Sequence, residues 1–268
     1  MRCNRKTLLL ALPLALAGCM ATKVMPPPET PLYAQRTGDT AASRVKTLVV
    51  ILPGDGTADK RTDPADFAAQ VTKTIPDSAV LTILRPGYAD QEGNRSPGER
   101  GDGSGDNYTR DRINLVGETI AAWRTRMPHA KVIVVGVNGG AAIAADLAGI
   151  ESGIIDGMVL LSCPCTLPEW RRHMAKQTGA PEWSAPVESL DPLQTAGGVA
   201  ADMRAAILVG ADDTIAPRRF SGPYAEALAL RGIATDYHIL PNRGHRLLND
   251  PETLKATERL AAALTGKR

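Results

Sequence analysis

Aromatic side chains make up only 4% of this 268-residue chain, with two phenylalanines and three tryptophans. So few rings weaken any case for a base-stacking platform for single-stranded nucleic acid. They also imply a core of small aliphatic side chains. An excess of either charge is lacking too: 31 basic residues face 29 acidic ones. No electrostatic footprint for nucleic acid follows from that balance, and no nucleic-acid partner is expected. The four histidines do not cluster with the cysteines at zinc-ligand spacing, so no metal is expected. No run is long enough to cross a bilayer: Leu8 to Ala17 is an apolar stretch about half the roughly 20 residues a helix needs. What the chain does have is 43% apolar content, enough for one domain with a sizeable core.

Residues 1–18 read as an address. Arg2, Arg5 and Lys6 precede the short apolar stretch, which is the pattern of an export signal. Leu16-Ala17-Gly18-Cys19 resembles the lipobox of bacterial lipoproteins, whose cysteine is lipidated and becomes the mature N-terminus. That resemblance implies lipidation of Cys19 and a lipid-anchored protein of the bacterial cell envelope, facing the periplasm or the exterior. One acyl chain holds a membrane only marginally, so stable anchoring implies several. Residues 19–45, with Pro26, Pro27, Pro28 and Pro31, read as an extended tether. Residues 46–268 are left as the folded domain. In an oxidising compartment Cys163 and Cys165 form either a small-ring disulfide or two small apolar thiols; both readings stand.

Strand-length segments recur along the domain at Lys46–Leu52, Ala79–Leu84, Val132–Val137, Asp156–Leu161, Arg204–Val209 and Ala234–Leu240, the first three as apolar runs. Helical patterns lie between them. Asp63-Pro64 starts one that runs to about Thr74, and Thr109 starts another with Ile113, Val116, Ile120 and Trp123 at helical spacing. Residues 168–198 read as a short helical excursion, Phe220–Arg231 as a helix stopped by Gly232, and Asp250-Pro251 as the cap of a last helix. Such alternation predicts a mainly parallel sheet of about six strands with helices on both faces. Working residues in such sheets sit beyond the carboxyl ends of the strands. Asp55, Asn138, Asp213 and His245 all fall there.

Four motifs occupy those positions: Pro53-Gly54-Asp55-Gly56 after the first strand, Gly136-Val137-Asn138-Gly139-Gly140 between a strand and a helix, Gly210-Ala211-Asp212-Asp213 leading to Pro217, and Arg243-Gly244-His245 after the last strand. Together they resemble the α/β-hydrolase superfamily of serine esterases and peptidases over roughly residues 46–265. The resemblance implies the α/β-hydrolase fold and a nucleophile–acid–histidine order, matched by Asn138, Asp213 and His245. Asp213 fits the acid position better than Asp212, and His129, His173 and His238 lack the context of the catalytic histidine. Gly139 and Asp55 would supply the backbone donors of an oxyanion hole, although an inward-pointing Asp55 carboxylate would oppose a developing negative charge. No cofactor is implied.

Asn138 stands where that family has serine. A carboxamide nitrogen is delocalised and barely nucleophilic, so His245 has nothing to activate there. The expectation is a membrane-tethered hydrolase relative, inactive or strongly attenuated, that binds an unidentified small molecule or serves as a scaffold. The alternative is an active hydrolase of small esters or amides. Its nucleophile would be an aspartate formed by deamidation of Asn138-Gly139, or the thiol of Cys163 or Cys165. The segment 85–108 reads as a long loop shaping the pocket mouth. Its Gly-rich part, 101–107, lacks the Gly-Lys-Ser/Thr ending of a P-loop and the Gly and Glu of an EF-hand. Arg85, Arg95 and Arg100 there either hold a substrate carboxylate or pair with Asp90, Glu92 and Asp102.

Overall fold

The computed structural model describes residues 27–55 and 64–266. The signal segment, Cys19 and the Asp63 cap therefore lie outside the described residues. Among those described, seven strands form one sheet: β1 (Ala34–Thr37), β2 (Thr47–Leu52), β3 (Ser78–Ile83), β4 (Lys131–Val137), β5 (Gly157–Leu161), β6 (Arg204–Gly210) and β7 (Ala234–Leu240). Their order across the sheet is β1-β3-β2-β4-β5-β6-β7. All neighbours are parallel except β1, which runs antiparallel to β3.

The six parallel strands are the strand segments read from the sequence, displaced by at most one residue at each end. β2 to β6 are buried on both faces, as helix-covered parallel strands must be, whereas β7 at the sheet edge is largely half-exposed. Alternation within each strand assigns the faces. Leu48, Val50 and Leu52 of β2 and Val132 and Val134 of β4 point into one apolar cluster, together with Ile113, Val116 and Ile120 of α2 (Arg110–Arg126). Val49, Ile51, Ile133 and Val135 point into the other, against Phe67 and Val71 of α1 (Pro64–Thr74) and Leu260 of the C-terminal helix (Pro251–Thr265).

The domain begins earlier than residue 46. β1 extends the sheet at its edge, and Leu32 and Val45 are fully buried in the first cluster. Residues 32–45 of the segment expected as a tether therefore belong to the folded domain. Its Ala34-Gln35-Arg36-Thr37 stretch has no apolar alternation, and it joins the sheet through backbone pairing with β3.

α3 (Gly139–Ile150) follows β4 after one residue and lies almost wholly buried across the sheet. Its small side chains permit this: a Cβ on Gly140 would overlap the carbonyls of Leu52 and Pro53. The segment 168–198 contains α4 (Leu167–Thr178) and a single turn, α5 (Pro192–Thr195). Trp170 of α4 donates its indole N–H to the Ile215 carbonyl at 2.9 Å, which pins α4 to the loop after β6. α6 (Gly222–Leu230) and α7 (Pro251–Thr265) complete the chain, and the side chain of Asp250 caps α7 by accepting from the Glu252 amide.

Candidate active site

The turn between β4 and α3 places one residue, Asn138, at its apex. Its backbone has φ 48° and ψ −112°, the conformation of the first central residue of a type II′ turn. A residue with a Cβ is strained there, by about 1–3 kcal/mol. The surrounding hydrogen bonds enforce it. The Asn138 N–H donates to the Leu161 carbonyl of β5 at 2.9 Å, and its own carbonyl accepts from Ala141 and Ala142. The carboxamide is buried, yet Nδ2 has no hydrogen-bond partner.

Asp213 and His245 meet although 32 positions apart. His245 Nδ1 lies 2.9 Å from Asp213 Oδ2 and 3.1 Å from Oδ1. A carboxylate only accepts, so Nδ1 carries the proton and the lone pair of a neutral imidazole sits on Nε2. Asp213 is buried, and the amides of Ile215 and Ala216 each donate to its Oδ1 at 2.9 Å. Burial by itself would raise its pKa. The hydrogen bond and charge of His245, the Ala216 amide and the nearby Ser162 hydroxyl outweigh that effect and hold the carboxyl below its ordinary range. Asp212, its exposed neighbour, takes no part. His173 contacts the Thr214 carbonyl and Arg219, His238 pairs with Asp236, and His129 is exposed.

Ser162 escaped the sequence reading. It follows β5 directly, is fully buried and has φ 49°. Its hydroxyl donates to the His245 carbonyl at 3.0 Å, fastening the histidine loop to the sheet. A serine directly after an apolar strand and beside the cysteine pair was the available signal. Cys163 and Cys165 are themselves joined in a disulfide and fully buried, so neither sulfur is a thiol.

Asp55 points inward. Its carboxylate packs on the first residue of α3: a Cβ on Gly139 would overlap Asp55 Oδ2 and the Tyr108 hydroxyl. A Cβ on the preceding Gly54 would come 3.3 Å from the Asn138 Cβ, so this loop lies directly over the turn apex. Arg85 Nη2 donates to Asp55 Oδ1 at 2.7 Å and to the Gly54 carbonyl at 2.9 Å. The Tyr88 hydroxyl donates to Oδ1 at 3.2 Å, and the Tyr108 hydroxyl donates to Oδ2. Arg100 donates to the Asp55 carbonyl at 2.7 Å, and the guanidinium groups of Arg85 and Arg100 both stack on the Tyr88 ring.

Arg85 is 2% exposed and Asp55 7%. Burial opposes the guanidinium charge, but the Asp55 charge, aided by Tyr88 and Tyr108, more than compensates and Arg85 is held above its ordinary pKa. Burial first and the Asp55 charge second push the Tyr108 phenol well above its usual value, so it donates as a neutral hydroxyl. Arg85 thus pairs with Asp55 and not with the acids of its own loop. Arg100 likewise turns to the Asp55 backbone. The Gly-rich part of that loop is closed on itself, since Asp106 accepts from the amides of Asp102 and Ser104. Among the described residues no group of three or more His, Cys, Asp or Glu could hold a metal ion.

No protein-family model matches the chain, and no curated protein matches it. Solved structures do. An esterase of Pyrococcus furiosus superposes with a TM-score of 0.67 at 14% identity, over 88% of this chain and 86% of that one. Est1E from Butyrivibrio proteoclasticus, with ferulic acid bound, gives 0.61 at 16% identity over 88% and 95%. A monoacylglycerol lipase of Paleococcus ferrophilus gives 0.57 at 16% identity over 88% and 99%. At such identities the likeness is one of fold. Sheet order, crossovers and neighbours agree: the chain has the α/β-hydrolase fold.

Proposed function

We propose that this protein is a lipid-anchored envelope protein whose hydrolase-fold domain is catalytically silent or strongly attenuated, and which serves as a binding or scaffold module for an unidentified small molecule. The observation that carries the proposal is Asn138 at the turn apex, where the family resemblance puts the attacking hydroxyl. Asp213 and His245 are hydrogen-bonded as a general base requires, but the group at 138 has no proton whose removal creates a useful nucleophile. Loss of a triad nucleophile in a protease leaves roughly 10³–10⁴-fold acceleration over water, from binding and the oxyanion hole. The anchor rests on the Cys19 tetrapeptide; among the described residues no helix is long and apolar enough to cross a membrane. Two measurements test the proposal. The purified domain should neither turn over a panel of activated esters nor label with a fluorophosphonate, and Cys19→Ser should abolish metabolic incorporation of palmitate. Turnover by the unmodified protein overturns the first part, and unchanged palmitate incorporation overturns the second.

One observation favours a second reading, an active enzyme with an aspartate at 138. With ψ at −112°, the Asn138 Cβ nearly eclipses the Gly139 nitrogen. A five-membered imide requires that alignment. Attack of that nitrogen on the carboxamide carbon would expel ammonia, and water would then open the ring to aspartate or isoaspartate. Peptide mapping of aged protein decides it: a gain of about one mass unit at 138 supports this reading, and an unchanged Asn138 removes it.

A further inference from the structure

We propose that the free edge of β7 is an interface for a second copy of this chain. The two β7 strands pair antiparallel about a twofold axis at Tyr237, and one sheet runs through both subunits.

Among the described residues the sheet ends at β7, which presents seven residues without proline or bulge. The opposite edge, β1, presents four. The Leu240 carbonyl of β7 accepts from the Ala211 amide, just past the end of β6, at 2.9 Å. The N–H and C=O of one residue point to the same side of a strand, and the side alternates along it. His238 and Asp236 therefore also bond toward β6, while the N–H and C=O groups of Thr235, Tyr237 and Ile239 face outward. Among the described residues none of these outward groups has a hydrogen-bond partner. An open edge of this kind is a template for another strand.

Side-chain chemistry selects the strand. Asp236 and His238 lie on one face, paired with each other and, through Asp236, with Arg259 of α7. In the reverse direction the strand offers the same two groups with their places exchanged. When Tyr237 stands opposite its own copy, Asp236 faces the second copy's His238 and His238 faces the second copy's Asp236. These are non-hydrogen-bonded pairs, in which side chains come closest and opposite charges are favourable. The outward groups of Tyr237 then bond to each other and those of Thr235 bond to Ile239, so all of them are used. On the other face Thr235 covers Ile239, which is 39% exposed in the single chain. Other registers lose these matches. An axis at Asp236 sets carboxylate against carboxylate, and an axis at Thr235 or Ile239 runs part of each strand past its partner's end. The contact is isologous, as a closed twofold dimer requires.

The test is the mass of the full chain in a mild detergent, by sedimentation equilibrium at micromolar concentrations. Wild type should be a dimer. Asp236→Lys puts a cation opposite His238, and His238→Asp puts a carboxylate opposite Asp236. Each variant alone should dimerise at least about 10-fold more weakly, because like charges meet across the axis. An equimolar mixture of the two should dimerise again, since both contacts are then between opposite charges. A monomeric wild type overturns the proposal, and so does a dimer that the single substitutions leave intact or that the mixture does not restore. A second measurement does not depend on those variants. Thr235→Cys and Ile239→Cys chains, mixed and mildly oxidised, should form an intermolecular disulfide that neither forms by itself. The proposed register sets those two Cα atoms about 5.5 Å apart, within disulfide reach. No cross-link in the mixture, or equal cross-linking of either chain with itself, overturns the proposal.

Discussion

The two halves of the site differ in what they retain. On one side, loops after β5, β6 and β7 bring Ser162, Asp213 and His245 into a connected, hydrogen-bonded unit. On the other, loops after β2 and β3 and the turn after β4 bring together Asp55, Arg85 and Asn138, which form an internal ion pair beside an amide. In the proposed account the first half is arranged to move a proton, and the second has lost the group that attacks.

The largest expected effect breaks the second half. Arg85→Met alone strands a buried carboxylate and should destabilise the domain by about 3–5 kcal/mol in chemical denaturation. Replacing Asp55 together with Arg85 should recover most of that loss. Next comes the first half. Asp213→Ala removes the acceptor of two amides and of His245 and should cost about 2–3 kcal/mol. Because the Asp213 pKa is depressed in the folded state, its contribution is fully present above the unfolded value of about 3.9. It is lost as pH falls through the folded value. An acid titration of stability should therefore lose part of its slope below pH 4 in Asp213→Asn.

A third prediction separates strain from function. Asn138→Gly removes the side chain from a backbone that disfavours it, and should stabilise the domain by about 1 kcal/mol, net of the greater flexibility of glycine. The last effect, read as a slope against pH, concerns α3 itself. Asp146 is fully buried, with Oδ1 accepting from Thr195 at 2.8 Å and Oδ2 unpartnered. Burial is the main reason its pKa stands well above the ordinary value. A raised acid contributes full stability below about pH 3.9, and loses it as pH climbs toward the folded value, at about 1.4 kcal/mol per pH unit. Asp146→Asn should abolish that slope.

The same division describes how far the site was legible in the sequence. Parallel strands buried on both faces write themselves as apolar runs, so β2 to β6, the β4–α3 turn and the positions of Asp213 and His245 could be read directly; β7, half-exposed at the edge, was read from its place after the helix stopped by Gly232. β1 could not, because Ala34–Thr37 joins the sheet through its backbone and shows no alternation. The Asp213–His245 pairing follows from two strand ends that any such sheet brings together. The Asp55–Arg85 pairing follows from tertiary packing alone: Arg85 has Asp90, Glu92 and Asp102 nearer in sequence, yet binds a carboxylate 30 positions upstream. Asp55 turns inward to Arg85 and two tyrosine hydroxyls, and side-chain direction in an irregular loop has no period to read.

The most direct test of the account compares hydrolysis of an activated ester by wild type and by His245→Ala. If the proton-moving half works on nothing, the two proteins should give the same slow rate, near that of an unrelated protein surface. A wild-type rate that is faster and falls by 100-fold or more in His245→Ala would show a working site and contradict it.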